Sequence, residues 1–323
     1  MEWKNMTMAT VIHLLGFQVP ENITVLVFFL FLIIYCVTIC GNLLIIILVC
    51  SSKTLHSPMY FFLSQLSISD ILLATDVLPN TLRAVMVKNT IIVSISDCIA
   101  QFYFFAATET LECLLLTVMS YDRYLAICKP LHYTLIMNFK LCWILTILCW
   151  TLSLVTEFFH TLTISKLHFC SSKMIDHFFC DLDPILQLSC SDTITAQLEA
   201  TALSVVFAII PFFVIIVSYV FIIVTILGIP SVTRRQKVFS TCSSHLTVVS
   251  IFYGTIVCVY LVPSRGQSWN ISKFLSLMYT VVTPLLNPII YSLRNNELKK
   301  VAGNIFRKFL NLHFNSHKNV QRC

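Results

Sequence analysis

The feature that most constrains this chain of 323 residues is a series of seven long apolar segments. A bilayer core about 30 Å thick needs roughly 20 mostly apolar residues per helix, and each segment is long enough to cross it. Only 11% of the residues are charged, whereas a soluble domain has about 25%. The sequence therefore predicts an all-α integral membrane protein, a bundle of seven transmembrane helices. The segments are Val25 to Cys50, Pro58 to Asn80, Ile95 to Cys128, Leu141 to Thr161, Ala196 to Gly228, Val238 to Val262 and Phe274 to Leu293.

No polar stretch or Pro-, Gly- or Ser-rich linker divides the chain, so we predict a single domain, residues 1–323. It comprises an external tail (1–24), the helix bundle (25–293) and a cytoplasmic end (294–323). Residues 295–311 interleave apolar side chains with lysines and arginines, which predicts a short amphipathic helix on the inner leaflet. A solvated basic tail is the alternative. The start of the chain lacks a signal-peptide pattern, so the first segment is expected to direct insertion itself.

Lysine and arginine set the orientation, because they accumulate on the cytoplasmic side. With the amino terminus outside, fourteen of the 21 lysines and arginines lie inside. The net charge of +6 is therefore assigned to the cytoplasmic face and not to a nucleic-acid-binding patch. We predict a multi-pass plasma-membrane protein with an extracellular amino terminus and a cytoplasmic carboxy terminus. Asn5, followed by Met6 and Thr7, is the predicted glycosylation acceptor, whereas Asn22 and Asn270 lie almost at the membrane.

Four of the fourteen cysteines lie at or beyond the external ends of the segments. Cys98 is at the external end of the third segment, and Cys170, Cys180 and Cys190 are in the long loop after the fourth. An oxidising exterior favours disulfides, but four cysteines allow three pairings and their spacing does not choose among them. A metal site formed by His168, Cys170, His177 and Cys180 is a weaker alternative, because oxidised sulfurs are not thiolate ligands.

Ionisable side chains inside the segments are functional-site hypotheses, because each costs at least about 2.5–3.5 kcal/mol to insert. Glu112 and Arg123 are eleven residues apart, about three helical turns, so they are predicted to share a face of the third helix. The residues singled out are Asp70, Glu109, Glu112, Asp122 and Arg123.

Asp70 and Glu112 are the most informative pair of acids. If they approach each other in a low dielectric, both cannot stay ionised without a proton or a cation between them. A sodium ion held by oxygen ligands is one interpretation. A protonated acid hydrogen-bonded to a neighbouring helix is the other.

Two further motifs indicate a conformational switch. Arg123 either extends to the inner headgroups or pairs with Asp122 in a contact that holds a closed state until it is released. In the seventh segment, Asn287 and Pro288 are followed by Tyr291, and the proline removes one backbone hydrogen bond. The sequence therefore predicts a kink that serves as a pivot.

Several motifs occur in a characteristic order along the chain. They are Gly41-Asn42, LHSPMYFFLSQLSISD (Leu55 to Asp70), MSYDRYLAIC (Met119 to Cys128), SY (Ser218, Tyr219), KVFSTCSSHL (Lys237 to Leu246) and PLLNPIIYSLRN (Pro284 to Asn295). Over nearly the whole chain, this series resembles the signatures of odorant receptors, the tetrapod-type class II branch of the rhodopsin-like G protein-coupled receptors.

The resemblance implies a function and a set of residue roles. An odorant receptor binds a small volatile ligand, needs no cofactor, is not an enzyme, and activates a stimulatory heterotrimeric G protein that raises cyclic AMP. Cys98 is expected to pair with Cys180, and Cys170 with Cys190. The expected sodium-coupled network is Asp70, Glu112 and Asn42. The expected residues of G protein coupling and switching are Asp122, Arg123, Tyr219, Asn287, Pro288 and Tyr291.

The ligand is expected among the outer halves of the third, fifth, sixth and seventh helices, in an apolar pocket with a few polar anchors. Helical spacing places the first five candidates on one face of the third helix. For each residue, ordinary packing between helices is the alternative. The candidates are Phe102, Phe105, Ala106, Glu109, Thr110, Ser204, Phe207, Tyr253, Ile256, Tyr260 and Thr280.

Two residues depart from the motifs of the family. Ser120 stands where the family often has alanine, which changes little. Glu109 adds an acid one turn before Glu112, at a position that the family usually leaves uncharged. This acid either pairs with a cationic amine or stays protonated and donates to a carbonyl or hydroxyl group.

Other functions are compatible with a helical membrane bundle. A transporter also uses buried acids, but transporters commonly show internal repeats, and this chain has seven non-repeating segments and only six glycines. An enzyme is not predicted, because His56, His132 and His245 have no evident catalytic partners. A receptor of the same fold with a nonolfactory ligand fits every motif.

Overall fold

The protein forms a bundle of seven long helices, here called the first to seventh spans. The structure is a computed structural model that describes residues 10–17, 19–87, 90–170, 174–261, 269–295, 297–304 and 307. Each predicted segment overlaps one span, and the third coincides with its prediction at both ends. The spans are, in order, Glu21–Ser51, Pro58–Met86, Ile95–Cys128, Phe139–Ser165, Ile194–Leu227, Val232–Leu261 and residues 269–294.

The outer surface of the bundle is apolar. Val25 and Leu26 on the first span and Leu227 on the fifth are each more than 60% exposed. A surface of this size and composition suits lipid and not water. Among the described residues, six spans are long and apolar enough to cross a membrane, and the sixth span contributes the shorter apolar stretch Cys242–Cys258.

Local sequence determines where several helices begin. The Ser94 hydroxyl accepts a hydrogen bond from the Asp97 amide at 3.0 Å and caps the third span. Asn138 caps the fourth span in the same way through the Leu141 amide, at 2.9 Å. Such side chains satisfy first-turn amides that have no partner within the helix. Pro58 begins the second span, where its missing N–H is not needed.

The fifth and seventh spans each contain one π-helical turn, Val205–Ile209 and Met278–Val282. Pro211 and Pro284 follow these turns and cannot donate to the backbone ladder. Single π turns within α-helices are frequent at functional sites.

One end of the bundle carries a small sheet that the all-α prediction omitted. Strand β1 (Val11–Leu14) pairs antiparallel with β2 (Ile91–Ser94) and parallel with β3 (Met174–Ile175). A four-residue strand is too short to show a clear alternation in the sequence, and its partners are loops. We call this sheet, together with residues 176–190, the cap. It joins the amino-terminal segment to the loops that follow the second and fourth spans.

The cap is also held by two disulfides. Cys98 pairs with Cys180, and Cys170 with Cys190. This is the pairing that the resemblance implies. Fully buried side chains of the cap, such as Leu14, Phe178 and Phe179, belong to an apolar cluster at this end of the bundle.

A short helix follows the seventh span at the opposite end of the bundle, at residues 297–304. Leu298 is buried against the bundle, whereas Lys299 and Lys300 are exposed. This distribution fits a helix that lies along a membrane surface. Apart from residue 307, the rest of the predicted amphipathic segment lies outside the described residues, as do Asn5 and the side chain of Tyr260.

Candidate functional site

The third span carries candidate residues along its whole length. Near the cap it buries Phe102 and Phe105, in the middle it buries Glu112, and at the far end it buries Asp122 and Arg123. One helix therefore connects the region beneath the cap to the opposite end of the bundle.

The cap reaches into the bundle through residues that follow β3. The Cys180 amide donates to Gln101 of the third span at 3.0 Å, and the Tyr279 hydroxyl of the seventh span donates to Asp181 Oδ2 at 3.0 Å. Burial raises the pKa of the Asp181 carboxyl to about 6. Burial and the nearby Lys273 lower the pKa of His177 to about 3, so this ring is neutral at physiological pH. The cap thus contacts two spans directly.

Lys273 fastens the cap to the seventh span. Its buried ammonium group donates to the Gly16 carbonyl at 2.7 Å and pairs with Asp176. One cation therefore holds the amino-terminal segment, the cap and the seventh span together. A buried charge that loses its partner is strongly destabilising, so this contact restrains the cap.

Beneath the cap, a group of aromatic side chains lies near the acid Glu109. The ring centroid of Phe105 lies 5.0 Å from that of Phe179 and 5.8 Å from that of Tyr279. Glu109 lies one turn further along the third span, and its Oε1 atom is buried with no hydrogen-bond partner among the described residues. Its carboxyl group interacts electrostatically with Glu112 and Asp181. An unsatisfied acid of this kind is unusual in a protein interior.

The remaining candidate ligand residues differ in their surroundings. The Thr110 hydroxyl donates to Glu157 of the fourth span at 2.9 Å, and the Thr280 hydroxyl donates to the Ser276 carbonyl at 2.7 Å. Both hydroxyl groups are thus already engaged within the bundle. The ring of Tyr253 lies beside that of Phe212, with centroids 4.9 Å apart and a tilt of 35° between the ring planes. The other described candidates, all partly buried, are Ala106, Ser204, Phe207 and Ile256.

The two acids Asp70 and Glu112 meet at one amide. The Asn287 side chain lies 3.1 Å and 3.2 Å from the Asp70 oxygens and 3.2 Å from Glu112 Oε1. Nearby, the Asn42 amide donates to the Pro284 carbonyl at 3.2 Å, and its own Oδ1 is buried without a partner among the described residues. The structure thus brings together acids of the second and third spans at an amide of the seventh.

Gly41 allows this approach of the first and seventh spans. A Cβ atom at Gly41 would lie 3.2 Å from both Cβ and Cγ of Pro288, closer than ordinary van der Waals contact. A larger side chain would therefore separate Asn42 from Pro284.

At the opposite end of the bundle, Asp122 is held from two sides. Arg123 donates to its Oδ2 atom through both Nε, at 2.9 Å, and an adjacent guanidinium nitrogen. The Tyr133 hydroxyl, on the short helix Pro130–Ile136, donates to Oδ1 at 2.8 Å. Burial and Asp122 raise the pKa of Tyr133, so its hydroxyl remains a donor. Arg123 is thus paired with Asp122 and does not extend to the membrane surface.

His245, for which the sequence shows no catalytic partner, has a structural partner on another span. His245 is completely buried, and its Nδ1 atom is hydrogen-bonded to the Tyr219 hydroxyl of the fifth span. Sequence spacing placed it at the cytoplasmic end but does not show which span faces it. Nearby, the Tyr291 hydroxyl is buried with no hydrogen-bond partner among the described residues.

The fourth span carries a polar cluster that is not among the residues predicted from the sequence. Glu157 and His160 are both buried, and His160 Nδ1 lies 3.3 Å from Glu199 of the fifth span. The Thr163 hydroxyl also donates to Glu199, at 3.1 Å. The signal was available, because Glu157 and His160 are three residues apart within an apolar segment, but the surrounding apolar residues masked it.

Comparison with known proteins adds three findings. A family model described as "Olfactory receptor" matches residues 31–310. Olfactory receptor 1496 of Rattus norvegicus is 48% identical over 92% of this chain and 95% of its own length, and olfactory receptor 7C1 of Homo sapiens is 45% identical over 95% and 96%. The crystal structure of squid rhodopsin superposes with a TM-score of 0.68, at 16% identity, over 91% of this chain and 88% of that one, a likeness of fold.

Proposed function

Because the chain belongs to the olfactory receptor family of G protein-coupled receptors, we propose that it is an odorant receptor that raises cyclic AMP through a stimulatory-type heterotrimeric G protein. Members of this family are multi-pass membrane receptors for small molecules that act on G proteins, and they are not enzymes. The proposal goes further in three respects: the place of the ligand, the orientation of the chain, and the type of G protein.

One observation carries the proposal, namely that the third span joins two functional regions. Phe105 and Glu109 lie at its capped half, and the Asp122–Arg123 pair lies at its opposite end. Between them, Glu112 contacts Asn287 of the seventh span. A ligand that displaces side chains beneath the cap therefore acts on the helix that carries the ion pair.

The ligand is proposed to lie beneath the cap, among aromatic and apolar side chains. Thr110 and Thr280 would line this pocket while their hydroxyls remain bonded within the bundle. The side chains proposed to contact the ligand are Phe102, Phe105, Ala106, Glu109, Ser204, Phe207, Tyr253, Ile256 and Tyr260.

The proposed orientation puts the cap outside the cell. Its two disulfides suit an oxidising exterior, and most lysines and arginines lie towards the other end of the spans. Asn5 would then be available for glycosylation. The G protein is proposed to contact the uncapped end, where Arg123, Tyr219, Pro288 and Tyr291 would change partners on activation.

The buried acids are proposed to bind a sodium ion. The donor set fits such an ion, because Asp70 and Glu112 supply hard oxygen atoms around one amide. Asn42, which donates to Pro284 of the same span as that amide, has an Oδ1 atom with no hydrogen-bond partner among the described residues. A bound cation would offset the repulsion between the two carboxylates. We expect rising sodium concentration to weaken the agonist response of the wild type, and Asp70→Asn and Glu112→Gln each to remove this dependence. A wild-type response that is insensitive to sodium favours the shared proton instead.

A cyclic AMP reporter screen tests the proposed function. Cells that express the receptor at a verified surface level are exposed to a chemically diverse odorant panel, with vector-only cells as the control. We expect at least one compound to raise cyclic AMP in receptor-expressing cells only. Responses confined to other G protein readouts would contradict the stimulatory coupling. No response in any readout would contradict the odorant-receptor proposal.

A further inference from the structure

We propose that the ligand is an organic amine in its ammonium form, bound between Glu109 and the aromatic rings of Phe105, Phe179 and Tyr279, with Asp181 as a second acid. This inference rests on the proposed function and adds the chemical class of the ligand. It depends on three observations beneath the cap: the charge balance, the aromatic wall and the unsatisfied carboxyl group.

The first observation is an excess of acids without counter-charges. The Glu109 carboxyl group interacts electrostatically with Glu112 and Asp181, and neither Glu109 nor Asp181 forms a salt bridge within the part of the chain that the structure describes. The nearby cation Lys273 is already paired with Asp176. A buried carboxylate without a partner is costly, so this region gains most from a ligand that brings a positive charge.

The second observation is that an aromatic wall stands beside these acids. Phe105 contacts both Phe179 of the cap and Tyr279 of the seventh span, and the Tyr279 hydroxyl donates to Asp181. The face of an aromatic ring attracts a cation, and more strongly where water is excluded. Aromatic faces next to carboxylates are therefore suited to an ammonium group, and the rings also cover its hydrocarbon part.

The third observation is the buried Glu109 oxygen that has no hydrogen-bond partner among the described residues. An alkylammonium group carries three N–H donors and would satisfy it. A metal ion is a poorer match, because no group of three His, Cys, Asp or Glu side chains in the described ranges converges on one point. An alcohol or aldehyde would supply or accept one hydrogen bond but would bring no positive charge to pair with these acids.

An ammonium group at Glu109 would also act on the switch. Glu109 precedes Glu112 by one turn, and Glu112 accepts from the Asn287 amide. A positive charge at Glu109 would attract the carboxyl group of Glu112, which contacts the seventh span. Amine binding is thus linked to the helix that carries Pro288 and Tyr291.

The experiment compares amines with alcohols and aldehydes of the same carbon skeleton, using cyclic AMP concentration–response curves. The receptors are wild type, Glu109→Gln, Asp181→Asn and the control Glu157→Gln, with surface expression measured for each. Glu157 is a suitable control, because it is another buried acid but lies on the fourth span and already accepts a hydrogen bond from Thr110. Truncation of one partner of a buried, hydrogen-bonded charge pair weakens binding strongly, in part because the other charge is left unpaired.

We expect the wild type to respond to amines at concentrations at least about tenfold lower than to their neutral counterparts, and Glu109→Gln to lose about 30-fold or more in amine potency. Asp181→Asn should lose less, and Glu157→Gln should match the wild type. Neutral compounds as potent as the amines on the wild type would overturn the inference, even if Glu109→Gln fails to reach the surface. So would an unchanged order of potency in Glu109→Gln. In either case a cyclic AMP response to neutral odorants would leave the proposed function standing, whereas silence towards every class would refute both.

Discussion

Cys98→Ser is expected to reduce receptor at the cell surface to background. Its disulfide to Cys180 spans 82 residues of sequence and fixes the cap to the third span, where the Cys180 amide also bonds to Gln101. Loss of a native disulfide typically costs 2–5 kcal/mol, which is a large part of the total stability of a protein. Flow cytometry of intact cells, with a tag at the amino terminus, measures the effect.

Two matched variants make this result interpretable. Cys258→Ser changes a free cysteine on the sixth span and should leave surface expression unchanged. Cys170→Ser removes the disulfide that spans only 20 residues and should reduce expression less than Cys98→Ser does. A disulfide that closes a shorter loop removes less conformational entropy from the unfolded chain and so stabilises the folded state less. Normal surface levels of Cys98→Ser would show that the contacts of β1 and Lys273 hold the cap without this disulfide.

Asp122→Asn is expected to raise basal cyclic AMP several-fold without ligand. The Asp122 carboxylate accepts from Arg123 and Tyr133, and an asparagine would hold the guanidinium more weakly because it carries no charge. Arg123 would then be released, as the proposed active state requires. A reporter assay corrected for surface expression measures the change.

Two further variants, one at Arg123 and one at Tyr133, complete this test. Arg123→Leu should lose both basal and odorant-stimulated signalling while still reaching the surface. Tyr133→Phe removes one of the hydrogen bonds to Asp122 but keeps the ion pair, so its basal signal should lie between those of the wild type and Asp122→Asn. Basal signalling of Asp122→Asn at or below the wild-type level would contradict a restraining role for this pair.

The spans were predictable, because length and apolar composition dominate the behaviour of a chain in a bilayer. For the third span, the predicted boundaries Ile95 and Cys128 are the observed ones. The sequence does not predict that Asp70 and Glu112 approach each other. Helical spacing gives the face of the helix on which a residue lies, but not its neighbours on other helices. That both contact the amide of Asn287 depends on how three spans pack.

The cap and the polar cluster of the fourth span were not predictable in the same way. Strand β1 exists because two loops supply its backbone partners, and those loops are distant in sequence. The partners of His160 and His245 lie on the fifth span, so neither pairing leaves a periodic signal. Local sequence determines helices here, whereas contacts between distant residues determine the candidate site.

The position of strand β1 has a consequence for the biosynthesis of the protein. β1 precedes the first span, so the ribosome makes it early, yet its partner β3 follows the fourth span. Until four spans have been inserted, β1 has a free hydrogen-bonding edge of the kind that pairs with other chains. The cysteines that close the cap also emerge late. The amount of mature receptor is therefore expected to depend on how quickly this edge is covered during synthesis as well as on the stability of the finished bundle.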